Sequence, residues 1–92
     1  MLYIDDITIT KSGSVDWELR VAAHLAVCHA RKKRWTWFTI DLGVCAQELS
    51  GISYAEGLAN CKERIADLLL ACGLKRKAID KALKEVIIVK AK

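Results

Sequence analysis

The residues best suited to chemistry lie between positions 31 and 38, where four consecutive cations stand directly before two tryptophans. These residues are Arg31, Lys32, Lys33, Arg34, Trp35 and Trp37. Cations neutralise phosphates, and indoles stack on bases or fill pockets of a protein partner. The segment therefore predicts a surface for nucleic acid or an acidic protein. The alternative is that the indoles pack under helices and the cations only end a helix in solvent.

A second group of cations lies nearer the end of the chain: Lys75, Arg76, Lys77 and Lys81. About twenty residues here, 65–84, resemble a helix-turn-helix, with Gly73 as the turn glycine and matching apolar residues at Leu68, Cys72, Leu74, Ile79 and Ala82. The resemblance implies a second helix that lays its cations in a groove of the nucleic acid. Leu69 departs from the motif, which has alanine or glycine there for close helix packing. A plain helical hairpin with a solvated basic face is the alternative.

Metal ligation and catalysis have weaker support in the sequence. His24 and Cys28 are four residues apart, which on a helix brings two metal ligands together, but cysteines in apolar stripes also pack as small hydrophobes. Tyr3–Asp6 resembles the Tyr-x-Asp-Asp turn of reverse transcriptases, and two acids at a strand edge or bulge are the alternative. No glycine-rich phosphate loop and no Ser–His–Asp arrangement occurs. We therefore predict no catalytic residue, no metal site, no cofactor and no enzyme activity.

Composition sets the broad class of this 92-residue chain, which is 53% hydrophobic and contains no proline and only five glycines. These values predict one small globular domain over residues 1–92. The net charge of +4 suits an anionic partner. There is no basic leader with an apolar run and no 18-residue apolar stretch, so we expect neither an export signal nor a membrane segment. Four cysteines without a paired motif then favour a cytoplasmic location.

Several elements are expected to position the cations and tryptophans. Residues 2–10 predict a strand, with a bulge at Asp5–Asp6 where the apolar alternation changes parity. Residues 16–31 predict a helix, from an apolar stripe at positions 17, 21, 25 and 28. Residues 35–42 predict a strand that places the two tryptophans on one face and Phe38 and Ile40 on the other. Which of these faces is buried stays open.

The second half of the chain predicts mainly helices. After a short helical turn at 44–50, Ser53 and Glu56 have the spacing of a capping box, which opens a helix that ends at Gly73. A helix at 75–84 and a buried strand at 86–89 follow. The expected fold class is α+β, or a small α/β fold, in the order β-α-β-α-α-β. A three-stranded sheet from 2–10, 35–42 and 85–90 would carry about three helices, mainly on one face.

The predicted core residues are apolar positions of these elements: Leu25, Cys28, Phe38, Ile40, Leu58, Cys61, Ile65, Leu68, Cys72, Ile79, Val86 and Ile88. The predicted function is binding without catalysis, to nucleic acid or to a complex that handles nucleic acid. An inhibitor or adaptor of a host protein complex is the first alternative. In size and lack of motifs the chain resembles accessory proteins of phages and mobile elements, including anti-CRISPR proteins, which are often acidic where this chain is basic. The second alternative is a homodimer that pairs through a sheet edge or the tryptophan face.

Overall fold

The computed structural model describes residues 1–29, 31 and 33–91. The four strands are β1 (Leu2–Ser12), β2 (Glu18–His29), β3 (Arg34–Gln47) and β4 (Ile87–Ala91). Two α-helices, α1 (Tyr54–Ala71) and α2 (Arg76–Lys84), and a 3-10 turn (Glu48–Ser50) lie between β3 and β4. Among the described residues, no helix is long and apolar enough to cross a membrane.

The strands form one mixed sheet in the order β3-β2-β1-β4. The first three strands are an antiparallel meander, and β4 returns to pair in parallel with the second half of β1. Helix α1 packs on β2 and β3, and α2 packs on β1. Both helices contribute to one hydrophobic cluster with the same side of the sheet, so no helix in the described part of the chain covers the opposite side. We call these two sides the covered face and the open face.

The predicted fold was wrong in its strand and helix count and in its order of elements. The residues that the structure describes form four strands and two α-helices, because residues 18–29 form strand β2 where a helix was expected. The spacing of four between Trp17, Val21 and Leu25 is an even number, so it fits one face of a strand as well as one face of a helix. The intervening positions 19 and 23 are also buried, which gives the two-residue period of a strand.

The strand that follows is longer than predicted. β3 continues to Gln47, and the expected helical turn is reduced to the three residues Glu48–Ser50. Two register shifts interrupt its pairing with β2, one between Asp41 and Gly43 and one between Val44 and Ala46. The positive φ of Gly43, 71°, suits the first of these bulges.

Three local predictions were confirmed. The register of β1 against β2 shifts between Ile4 and Asp6, as the change of parity predicted. The Ser53 side chain accepts a hydrogen bond from the backbone N–H of Glu56 at 3.2 Å, which caps the start of α1. Gly73 follows the end of the helix with a φ of 91°, a left-handed conformation that favours glycine.

The core lies between the covered face and the two helices. Its buried members are Ile7, Ile9, Trp17, Leu19, Val21, Ala23, Leu25, Ala46, Cys61, Ile65, Ala66, Leu69, Leu74 and Ile79. Three predicted core residues, Phe38, Cys72 and Ile88, are exposed. Phe38 and Ile88 lie in the two outermost strands of the sheet, and Cys72 stands at the C-terminal cap of α1.

Candidate nucleic-acid interface

The predicted basic–aromatic segment forms the tip and outer strand of the long β2–β3 hairpin. Pairing of the two strands runs from Glu18 opposite Gln47 to His29 opposite Arg34. The backbone of Met1 exchanges two hydrogen bonds with that of Cys28, at 2.9 and 3.0 Å. Because β1 therefore begins level with position 28, the residues beyond it project past the first strand.

The cations at this tip are accessible. Arg31, Lys33 and Arg34 are all exposed. Lys32 lies outside the described residues. With no acidic residue between positions 17 and 41 except Glu18, the end of the hairpin is a concentrated positive charge.

Both predicted tryptophans lie on the open face. Trp35 is 47% exposed and Trp37 is 63% exposed, which is unusual for indoles in a sheet with a well-formed core. Their ring centroids are 6.2 Å apart and their planes differ by 28°, a stacked arrangement. The face predicted to contact the core, that of Phe38 and Ile40, is the covered face.

Tyr3 extends this pair into an aromatic row that the sequence alone did not reveal. Its ring centroid lies 5.4 Å from that of Trp35. In register, Tyr3 of β1 stands opposite Ala26 of β2, and Ala26 stands opposite Trp37 of β3. The small side chain of Ala26 leaves a shallow cavity of about 350 Å³ between the rings. We call Tyr3, Trp35 and Trp37 the aromatic row.

A row of polar side chains lies beside the aromatic row. His24 Nδ1 and Thr39 Oγ1 are 2.9 Å apart, and His24 Nε2 lies 3.6 Å from Asp6 Oδ1. Thr8 Oγ1 donates to the same Asp6 oxygen at 3.4 Å. The types of Thr39, His24 and Asp6 are those of a nucleophile, a base and an acid. The backbone amides of β2 are committed to the sheet on both sides, whereas the outer edge of β3, the strand that carries Thr39, has no neighbouring strand among the described residues. The row therefore presents hydrogen-bonding groups beside the aromatic rings.

The signal that could have identified these residues is the two-residue alternation of β2. Odd positions from 19 to 25 are buried, whereas His24 and Ala26 fall on even positions and share the open face. Assigning 16–31 to a helix hid this pattern. It also placed His24 and Cys28 on adjacent turns, whereas four residues of strand separate them by about 13 Å. The two side chains therefore cannot share one metal ion, and among the described residues no group of three or more His, Cys, Asp or Glu is placed to hold one.

The second basic group is not brought onto the open face. Lys75, Arg76, Lys77 and Lys81 are exposed at and along α2, on the covered side of β1. Arg76 forms an ion pair with Asp80 at 3.0 Å, which reduces the free charge of this helix. Leu74, just before α2, and Lys81 line a groove together with Tyr3 and other early residues of β1. The first turn of α2 therefore lies at the same end of the sheet as the hairpin tip, but on the covered face and not on the open face.

Charge on the open face is uneven. Asp5, Asp6 and Asp41 lie on or at the edge of this face, and Arg20 is the cation on the central strand β2. Away from the tip, the described part of this face therefore offers more carboxylates than cations. Phosphate binding is favoured at the hairpin tip, and no continuous basic groove crosses the described residues of the sheet.

The cysteines form no disulfide in the structure, and their environments differ widely. Cys61 is buried in α1, Cys72 is exposed, and Cys28 and Cys45 are intermediate. Burial, and secondarily the neighbouring Cys45 thiol, raises the pKa of the Cys61 thiol from 9.0 to about 11. Since the thiolate is the nucleophilic form, Cys61 is an inert core thiol at neutral pH.

Comparison with known proteins gives no family for this chain. No protein-family model matches the sequence, and neither the curated proteins nor the solved structures yield a significant match. Function must therefore be argued from the site itself.

Proposed function

We propose that this protein binds single-stranded nucleic acid through the hairpin tip and the aromatic row, without catalysing a reaction. The observation that carries the proposal is the arrangement of three exposed aromatic rings, in which Trp35 lies against both Tyr3 and Trp37, directly beside an exposed cluster of cations. Exposed apolar patches on a folded domain commonly mark an interaction site. Aromatic rings beside cations are the pairing that single strands use, because bases stack while phosphates seek positive charge.

Single strands fit this surface better than duplexes do. The rings are presented on an open sheet face, where they can stack only on bases whose own faces are free. A duplex hides its base faces and would lay its phosphates along the sheet, toward Asp6 and Asp41. Three rings correspond to a footprint of about two or three bases.

The roles of individual residues follow from their positions. Arg31, Lys33 and Arg34, with the adjacent Lys32, would neutralise phosphates, and the aromatic row would stack on bases. The cations of α2 lie on the covered side of β1 and would contribute mainly long-range attraction, with Lys81 the nearest to the aromatic row because it lines a groove with Tyr3. The proposal needs no metal and no cofactor, and the unpaired cysteines are compatible with a reducing cytoplasm, where nucleic acid is abundant.

A protein partner is the second candidate. The observation that favours it is the absence of a continuous basic groove on the described open face, where carboxylates flank the aromatic row. Tryptophan, tyrosine and arginine are also the residues most enriched in protein interfaces. In this case the protein would act as an inhibitor or adaptor that occupies part of a nucleic-acid-handling complex.

Tryptophan fluorescence tests the proposal directly. Trp35 and Trp37 are exposed and Trp17 is buried, so quenching of the long-wavelength emission reports on the open face. We expect single-stranded DNA and RNA to quench this emission, with affinity falling steeply as salt increases. Matched duplexes should bind more weakly.

Two variants and a control distinguish the contribution of aromatic stacking to the binding affinity from that of positive charge. Trp37→Ala should weaken binding about 5- to 150-fold, the range for one base–aromatic stack of roughly 1–3 kcal/mol. Lys33→Ala should weaken binding to all sequences and reduce the slope against salt by about 1. Lys77→Ala, an exposed lysine on α2, is the matched control and should have the smaller effect.

The outcome that contradicts nucleic-acid binding is the absence of any quenching at low salt. Unchanged binding by both Trp37→Ala and Lys33→Ala would also contradict it, since the contacts would then lie elsewhere. Crosslinking in lysate that depends on Trp37 but survives nuclease treatment and Lys33→Ala would support the protein partner instead.

A further inference from the structure

Strand β3 leaves one of its two edges without a neighbour, because it lies at the end of the sheet order. Among the described residues, no backbone hydrogen bond from outside the sheet reaches residues 34–41. This stretch is rich in aromatic and β-branched residues, which favour strands. It therefore presents a row of unpaired N–H and C=O groups suited to the addition of another strand.

Other free edges of the sheet carry features that hinder such pairing. β4 is only five residues long and includes Lys90. The start of β1, which β4 does not reach, carries the bulge at Asp5 and its two adjacent carboxylates. The second half of β3 is bulged twice, and the Gly43 N–H there donates to the Asp41 carboxylate at 2.7 Å. Short length, charge and bulges are the usual devices that protect an edge, and residues 35–40 have none of them.

The side chains flanking this edge are also apolar and uncovered. Trp37 is 63% exposed on the open face, and Phe38 is 39% exposed on the covered face. A strand added here would bury part of both. Burial on each side of the sheet, together with the new backbone hydrogen bonds, favours an occupied edge.

We propose that residues 35–41 of β3 pair antiparallel with the same residues of a second copy of this chain. A strand that pairs antiparallel with itself forms a two-fold symmetric contact, so the single segment supplies both surfaces. The product is a continuous eight-stranded sheet. The proposal concerns self-association and does not depend on nucleic-acid binding.

Strand geometry restricts the arrangement of this dimer. Along an edge strand, every second residue points its backbone N–H and C=O groups outward. In an antiparallel pair, two directly opposite residues either both point these groups at each other or both point them away. In this dimer the residue numbers of opposite positions therefore differ by an even number. Both copies therefore place their helices on one side of the sheet and their aromatic rows on the other. The two basic tips then point in opposite directions.

The register centred on Phe38 uses most of the unbulged strand. It places Phe38 against its own copy, Trp35 against Asp41, and Arg34 against Leu42. No like charges meet across the strands in this register. Like charges directly opposite destabilise a strand pair, so their absence makes the segment complementary to itself.

Analytical ultracentrifugation at high salt, without nucleic acid, tests the proposal. We expect the unmodified protein to sediment at twice its chain mass of 10.3 kDa at micromolar concentration. Phe38→Lys brings two ammonium groups together at the two-fold axis and should restore the mass of a monomer. Val89→Lys, at a comparably exposed residue on the opposite edge of the sheet, is the matched control and should remain dimeric.

Amide hydrogen exchange gives a second measurement that needs no substitution. Protection of amides in residues 35–41 should increase with protein concentration, while that of β4 should not. An unmodified protein that stays monomeric at all concentrations overturns the proposal. So does a dimer that Phe38→Lys leaves intact, or one that Val89→Lys breaks equally. Amide exchange in residues 35–41 that does not depend on protein concentration also overturns the proposal, even if Phe38→Lys fails to fold.

Discussion

The covered and open faces of the sheet are built from alternate residues of the same strands, yet they differ in almost every property. On the covered face, Leu19, Val21 and Leu25 of β2 are fully buried against the helices. On the open face, the same strand carries His24 and Ala26, and the neighbouring strands carry the aromatic row. Packing accounts for the residues of the first face but not for those of the second.

The contrast separates stability from recognition. A side chain that is already surrounded by protein contributes mainly through burial, at roughly 25 cal/mol per Å² of apolar surface. Trp35 and Trp37 remain about half exposed or more, so folding recovers only part of that energy. Their unused surface is available to a partner, which is the physical reason to locate binding on the open face.

The strongest test of this contrast is a truncation on the covered face. Leu25→Ala should lower the free energy of unfolding by about 2–5 kcal/mol, because it leaves a cavity in a close-packed core. Urea denaturation measures the change. Leu70→Ala, at a leucine of α1 that is 39% exposed, is the matched control and should cost less than about 1 kcal/mol. Equal costs for the two leucines would contradict the assignment of the core.

A smaller change probes how closely α1 approaches the covered face. An added methyl group at Gly57 would lie 3.1 Å from atoms of Leu19 and Trp17 and 3.2 Å from Ala46. Gly57→Ala should therefore destabilise the protein by about 1–2 kcal/mol, although alanine is the better helix former. Thermal or urea unfolding measures this cost. Trp17→Phe should reduce it in a double-mutant cycle, and a stabilising Gly57→Ala would show that the helix can move away.

The buried Cys61 thiol predicts a dependence of stability on alkaline pH. Its pKa is raised from 9.0 to about 11 in the folded protein, so the unfolded chain loses this proton first as pH increases. Stability should therefore fall between about pH 9 and pH 11, by roughly 1 kcal/mol per pH unit at most. Urea unfolding across this range should show a shallower decline for Cys61→Ala than for the unmodified protein. Parallel declines would mean that other groups dominate.

The smallest effect is expected on the open face. Trp37→Ala should change the free energy of unfolding by no more than about 1 kcal/mol, the scale of a cross-strand pair. Trp17→Ala, which removes the one buried indole, is the control and should cost about 3–5 kcal/mol. A large loss in the free energy of unfolding from Trp37→Ala would show that this residue supports the fold and is not a free binding surface.

Sequence reasoning succeeded where a few neighbouring residues determine the outcome. The start of α1 depends on Ser53 and Glu56, three positions apart, and the bulge in β1 depends on the change of parity between Ile4 and Ile7. It failed over 16–31, where four alanines have high helix propensity and the apolar spacing fits both structures. Pairing with β1 on one side and β3 on the other overrides that propensity in β2.

The candidate site divides in the same way. The alternation of residues 35–42 is local, so the sequence alone places Trp35 and Trp37 on one side of a strand and Phe38 on the other. The register between three strands decides which side the helices cover. It also brings Tyr3 into the aromatic row across Ala26. Register arises from contacts between residues distant in the chain and from burial of one whole face, and no short stretch of sequence contains that information.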